Sequence, residues 1–161
     1  MPLQSSVPQI RVYADTSVYG GAFDDEFASA SVRFFDEVRS GRFTLCIGAP
    51  VVEELQPAPE RVLAHFQSLF PLAQPAGMSP EVLSLRDRYL AADIVGAGSA
   101  TDALHVALAT LNACELLVSW NYKHIVHRDK APRYNAVNTL MGFPTIGIFT
   151  PAEVVLYEER L

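Results

Sequence analysis

Ile10-Arg11-Val12-Tyr13-Ala14-Asp15-Thr16-Ser17 is the stretch on which the fold turns. Ile10 to Ala14 alternates apolar with polar side chains and then becomes apolar, the pattern of a strand entering a core. It ends on a carboxylate and two hydroxyls, and Gly20-Gly21 follows as a breaker. A strand that ends in this way and leads toward a helix is the opening of a βα unit.

Reading outward, the same alternation repeats. Ser29 to Ser40 has helical spacing, with Val32, Phe35 and Val38 on the expected buried side, Phe34 at its margin, and Gly41 as the stop. Phe43 to Ile47 reads as a second strand, and Gly48-Ala49 leads out of it. Pro50 opens a short helix from Val51 to Gln56. Glu60 to Phe70 is helical, with Val62, Leu63, Phe66 and Leu69 in phase, and Pro71 to Gly77 reads as a loop. Ser79-Pro80-Glu81 starts a helix that runs to about Ala92, and Gly96 and Gly98 mark a mobile connector. A further helix, capped by Ser99 or Thr101, runs to about Ala113, with Leu104, Ala107, Leu108 and Leu111 as its apolar stripe. Leu116 to Trp120 is a buried strand, Asn121 to His127 a loop, and Ala131 to Met141 a helix. Thr145 to Phe149 is the last strand, before a helix capped by Thr150-Pro151-Ala152-Glu153. Short apolar strands separated by helices predict an α/β fold with a mainly parallel sheet covered on both faces.

Length and composition agree. A chain of 161 residues suits one domain, 1–161, with residues 1–8 as a flexible extension. Half the residues are hydrophobic and 19% are charged, which excludes a disordered or fibrous chain. No apolar run reaches the roughly 20 residues of a membrane span, and the N-terminus lacks the pattern of a signal peptide, so the expected location is the cytoplasm. A net charge of −6 argues against a broad basic surface for long nucleic acid, but suits a basic protein partner. Cys46 and Cys114 lie in apolar surroundings and read as reduced structural thiols.

Four side chains stand where a strand ends or a helix begins: Asp15, Glu54, Asp102 and Asn121. In an open α/β sheet such positions share one edge, so residues remote in sequence can meet there. Oxygen ligands gathered at that edge suit a hard cation such as Mg²⁺ and point toward metal-assisted cleavage of a phosphodiester. Each has a plainer reading. Asp15 can simply cap the helix after it, with Thr16 and Ser17 as its hydrogen-bond partners. Glu53 and Glu54 point about 100° apart, and periodicity does not say which faces a pocket. Asp102 lies in the first turn of an apolar helix, where a buried carboxylate needs a partner. His105, one turn on, can orient Asp102 or be a satisfied interior histidine. Asn121 can supply a neutral oxygen, hold a water or form a turn, while Lys123 can meet a phosphate or solvent. His65, His124 and His127 form no ligand triplet, though His124 is the one expected near the pocket.

Asp15-Thr16-Ser17, Glu54-Leu55, the run Asp102 to Ala109 and Leu117-Val118-Ser119-Trp120-Asn121 resemble the PIN-domain ribonucleases. The resemblance spans nearly the whole chain and is greatest to the bacterial VapC-type branch, the toxins of toxin–antitoxin pairs. It implies a three-layer α/β/α fold and an endoribonuclease dependent on Mg²⁺, with Mn²⁺ as a substitute. It implies Asp15, Glu54 and Asp102 as the metal-binding acids and favours Glu54 over Glu53, because the family acid precedes a leucine. Ser119 and Asn121 would position water or metal. An RNA substrate, a cognate antitoxin and a homodimer are the implied partners. Many members have an aspartate where this chain has Asn121, so one firmly held ion is expected rather than two. The competing reading is a PIN-like module of weak or no activity that acts through a protein partner. A phosphoacceptor receiver domain is disfavoured, because Asp24-Asp25 lies too far beyond the first strand.

Overall fold

Strand β1 spans Ile10–Ala14, where the sequence places it. The computed structural model describes residues 9–156, so the expected extension at 1–8 lies outside the described residues. After β1 come helices α1 (Thr16–Gly21) and α2 (Ala28–Arg39), strand β2 (Phe43–Gly48), and helices α3 (Ala49–Leu55) and α4 (Glu60–Ser68). Strand β3 (Ala73–Ala76) precedes α5 (Pro80–Ala91) and α6 (Ala100–Leu111). The chain closes with β4 (Leu116–Val118), α7 (Lys130–Leu140), β5 (Gly147–Phe149) and α8 (Pro151–Val154).

The strands form one sheet in the order β3-β2-β1-β4-β5, and every pairing is parallel. The connection leaving β1 goes to β2, on one side; the connection leaving β4 goes to β5, on the other. Parallel crossovers are right-handed almost without exception, so connections running opposite ways cover opposite faces. The packing follows: α2 lies with α8 and against β2, whereas α5 packs with α6 and α7. The result is the three-layer α/β/α arrangement. It also fixes a switch point between β1 and β4, the place where such sheets hold ligands beyond the carboxyl ends of their strands.

Three expectations need correction. Residues 71–77 are not all loop, because Ala73–Ala76 pairs with Leu45–Gly48 as an edge strand. Its composition hides it: Pro75 lowers strand propensity and is tolerated because this strand lies at the sheet edge. Val32 is exposed; Ser31, Phe34, Phe35 and Val38 form the buried stripe of α2, with steps of three, one and three residues. Helix α6 is buried almost all round rather than along one stripe, with His105, Val106 and Ala107 all covered.

Two glycines permit close approaches that the site depends on. A Cβ on Gly48 would lie 3.0 Å from both Tyr13 Oη and Leu108 Cδ1. A Cβ on Gly21 would lie 2.9 Å from both Ser31 Oγ and Trp120 Nε1, which are themselves joined by a hydrogen bond donated by the indole. Gly21→Ala should therefore destabilise the fold by about 1–3 kcal/mol, the usual cost of overpacking. Urea unfolding measures it, and a midpoint equal to the parent's would show that the Ser31–Trp120 pair gives way freely.

Candidate active site

Asp15 follows β1 directly and is only 4% exposed. Its Oδ1 accepts from Ser17 N at 3.1 Å and Ser17 Oγ at 2.5 Å, and its Oδ2 accepts from Ser119 Oγ at 2.7 Å. The same two hydroxyls accept backbone hydrogens from the loop after β4, Ser17 from Trp120 N and Ser119 from Asn121 N, both at 2.9 Å. The carboxylate is thus the centre of a stitch between the ends of β1 and β4. It also caps α1, so the plain reading and the functional one hold together.

Beyond Asp15 lies a cavity of roughly 630 Å³. Asp15, Thr16, Ser17, Glu54, Asp102, His105 and Asn121 all line it, so seven of the sequence-derived positions meet there. Ser119 is fully buried behind Asp15. Glu53 does not line the cavity and Glu54 does. Lys123 does not line it either; its carbonyl accepts from Lys130 Nζ at 2.8 Å. Asp24, set aside by its distance from β1, lines the cavity together with Phe27 and Trp120, whose rings stack with centroids 4.4 Å apart. Helix α1 brings Asp24 back to the sheet edge, and only recognition of that six-residue helix could have shown it.

Glu54 is held by two donors on one oxygen. Thr16 Oγ1 donates to Oε1 at 3.0 Å, and His105 Nε2 lies 2.6 Å from the same atom. His105 therefore serves Glu54 by contact, not Asp102 as one sequence reading allowed. Behind it, Nδ1 lies 2.6 Å from the Tyr13 hydroxyl. Tyr13 stood in the sequence as a mere strand residue; nothing in spacing alone marks it. Asn121 Oδ1 accepts from His124 N at 2.9 Å, which makes a turn. The Asn121 amide also favours the charged form of Asp102, against the effect of burial.

The electrostatics are uneven. Burial pushes the Asp15 carboxyl above the usual range, with His105, Ser17 and Ser119 opposing and Asp102 reinforcing. Burial raises Asp102 too, against His124, His105 and Asn121, with Glu54 reinforcing. Glu54 moves the other way, lowered chiefly by its hydrogen bond with His105. Four acids line the cavity and, among the described residues, no lysine or arginine does. Among the described residues no group of three or more His, Cys, Asp or Glu forms a ready metal cage. The donor chemistry nevertheless fits a hard divalent cation, because the oxygens are carboxylate oxygens and their mutual repulsion lacks a positive partner.

No protein-family model matches the chain, and no curated protein matches it. Among solved structures it is similar to a chain in VapBC2 from Rickettsia felis bound to a DNA fragment from their promoter. The identity there is 14% and the TM-score 0.55, over 86% of this chain and 97% of that one. It is likewise similar to a chain in FitAB bound to an IR36 DNA fragment, at 14% identity and TM-score 0.55, over 92% and 99%. At that identity the likeness is one of fold: the chain has the PIN-like three-layer fold expected from its sequence.

A raised carboxyl holds its proton in the folded chain after the unfolded chain has released it. The stabilisation from Asp15 and Asp102 is complete below the ordinary carboxylate range and is lost as pH rises through their raised values. Glu54 has the opposite sign: its contribution is present above the ordinary range and lost as pH falls through its lowered value. In chelator at neutral pH, Asp102→Asn should therefore raise the melting temperature, by about 2–4 °C for each kcal/mol of burial cost and repulsion removed. The gain should shrink on acidification. Thermal melts followed by circular dichroism measure it, and a lower melting temperature for the variant would refute the destabilisation by a buried charge.

Proposed function

We propose that this chain is a divalent-metal-dependent endoribonuclease of the VapC type, the toxin of a toxin–antitoxin pair acting in the cytoplasm. The observation that supports it most is the meeting of Asp15, Glu54 and Asp102 on one cavity at the switch point of a PIN-like fold. Both fold neighbours named above are described as bound to DNA fragments, one of them a promoter fragment; for this chain an antitoxin partner, an RNA substrate and a homodimer are proposals. Among the described residues no helix is long and apolar enough to cross a membrane.

Asp15 and Asp102 would hold Mg²⁺, or Mn²⁺ in its place, and Glu54 would complete the set. The bound ion supplies a lowered pKa for water and neutralises charge growing on the phosphate. The chain's own residues do the rest. Ser17 and Ser119 fix both Asp15 oxygens, which aims the carboxylate before anything binds. Glu54 takes two hydrogen bonds on Oε1, so Oε2 is the oxygen available to the cavity, as a ligand or to accept a proton from water. Asn121 adds no carboxylate at a position where many PIN-domain ribonucleases carry an aspartate, which favours one firmly held ion.

Asp15→Asn and Asp102→Asn should each lower Mg²⁺-dependent cleavage of RNA by about 100-fold or more while the circular dichroism spectrum stays that of the parent. Glu53→Gln, off the cavity, should cleave like the parent. Unchanged cleavage by both aspartate variants would overturn the proposal. A second reading, a PIN-like binding module of weak or no activity, is favoured by one observation: Asn121 Oδ1 is engaged in its turn. Calorimetric titration with Mn²⁺ separates the two, since the module predicts no measurable binding.

A further inference from the structure

We infer that His105 is a positioning residue for Glu54, and that Tyr13 holds its ring in place from behind. The inference rests on the metal-site reading above, because it concerns which Glu54 oxygen that site receives. Glu54 is on the surface side of α3, a helix of seven residues, and its side chain is 41% exposed. A glutamate so placed ordinarily samples many rotamers. Here Oε1 is clamped between Thr16 Oγ1 at 3.0 Å and His105 Nε2 at 2.6 Å.

The clamp is rigid because its base is buried. His105 is 1% exposed and Tyr13 is 0% exposed. The Tyr13 hydroxyl is 2.6 Å from Nδ1, and the two rings stand 5.6 Å apart at 56°. Tyr13 is in register with Cys46 on β2 and Leu117 on β4, in the centre of the sheet, so it cannot shift without the core. The missing side chain at Gly48 leaves the room its hydroxyl occupies.

The direction of the hydrogen bond to Glu54 follows from its acceptor. A carboxylate accepts only, so the nitrogen facing Glu54 must carry hydrogen, and that is Nε2. Nδ1 faces the Tyr13 hydroxyl, which can donate to it or accept from it. The hydrogen-bonded chain runs from Tyr13 through His105 to Glu54, from the sheet core to the cavity wall. Support of a ligating group from behind is worth about 10–100-fold in metal affinity where it has been measured.

The test is Mn²⁺ titration by calorimetry on the full chain. His105→Leu should weaken binding by about 10–100-fold, and His105→Gln, whose amide can donate from the Nε2 position, should recover most of that loss. In a Glu54→Gln background, His105→Leu should add nothing further, because the group it positions has lost its charge. Parent-like affinity in His105→Leu, or an equal loss in the Glu54→Gln background, would overturn the inference in favour of a purely structural histidine. If the parent itself binds no Mn²⁺, the metal reading fails, and the ring decides the positioning alone. The ¹⁵N spectrum of the unmodified chain should show hydrogen on Nε2. Hydrogen on Nδ1 alone would refute it, and that measurement needs neither metal nor a variant that folds.

Discussion

The buried carboxylate of Asp15 is the constraint around which the rest is arranged. A carboxylate cannot leave water cheaply, and this one leaves it almost completely. Three hydrogen bonds from two serines offset part of the cost. Those serines in turn tie down the Trp120 and Asn121 amides, so the acid fixes the path of the chain as it leaves β4. The ends of two adjacent strands are thereby locked in one geometry. What the serines do not offset, the raised carboxyl of Asp15 records.

The three principal acids are held by different means and are not equivalent. Asp15 is fixed by neutral hydroxyls and Glu54 by a histidine anchored in the core, whereas His124, His105 and the Asn121 amide favour the charged form of Asp102. Glu54 alone is lowered, which marks it as the best-supported anion of the set. Asp15 and Asp102 are each raised, both chiefly by burial, with Asp102 reinforcing the first and Glu54 the second. Such a site holds part of the folding free energy in reserve for a positive partner. Stability given up at a preorganised site is a common feature of functional clefts.

Much of this was legible in the residues. The β1 pattern Ile10 to Ala14, the Ser79-Pro80 helix start and the Thr150/Glu153 capping box are local signals, and they hold in the structure. Local signals failed where the decision was not local. Ala73–Ala76 becomes a strand only because β2 offers an open edge. Val32 faces solvent because the α2 stripe is centred one residue away, on Ser31 and Phe35. Glu54 could not be separated from Glu53 by periodicity, since α3 is too short to show a clear stripe.

The sequence by itself determined most of the elements and their order, β3 and α1 excepted, and hence the parallel sheet, because most strand and helix patterns are written in nearest neighbours. It also determined which residue types end up at the carboxyl edge, since each acid sits at a fixed place beside a strand or helix end. Only the tertiary structure decided how those residues divide the work. His105 turned to Glu54 rather than Asp102, Asn121 Oδ1 took up a hydrogen bond within its turn, and Asp24 joined the cavity wall. Hydrogen-bond partners and net charge in a cavity depend on distances between chain segments about 40 to 100 residues apart, and no local pattern encodes those.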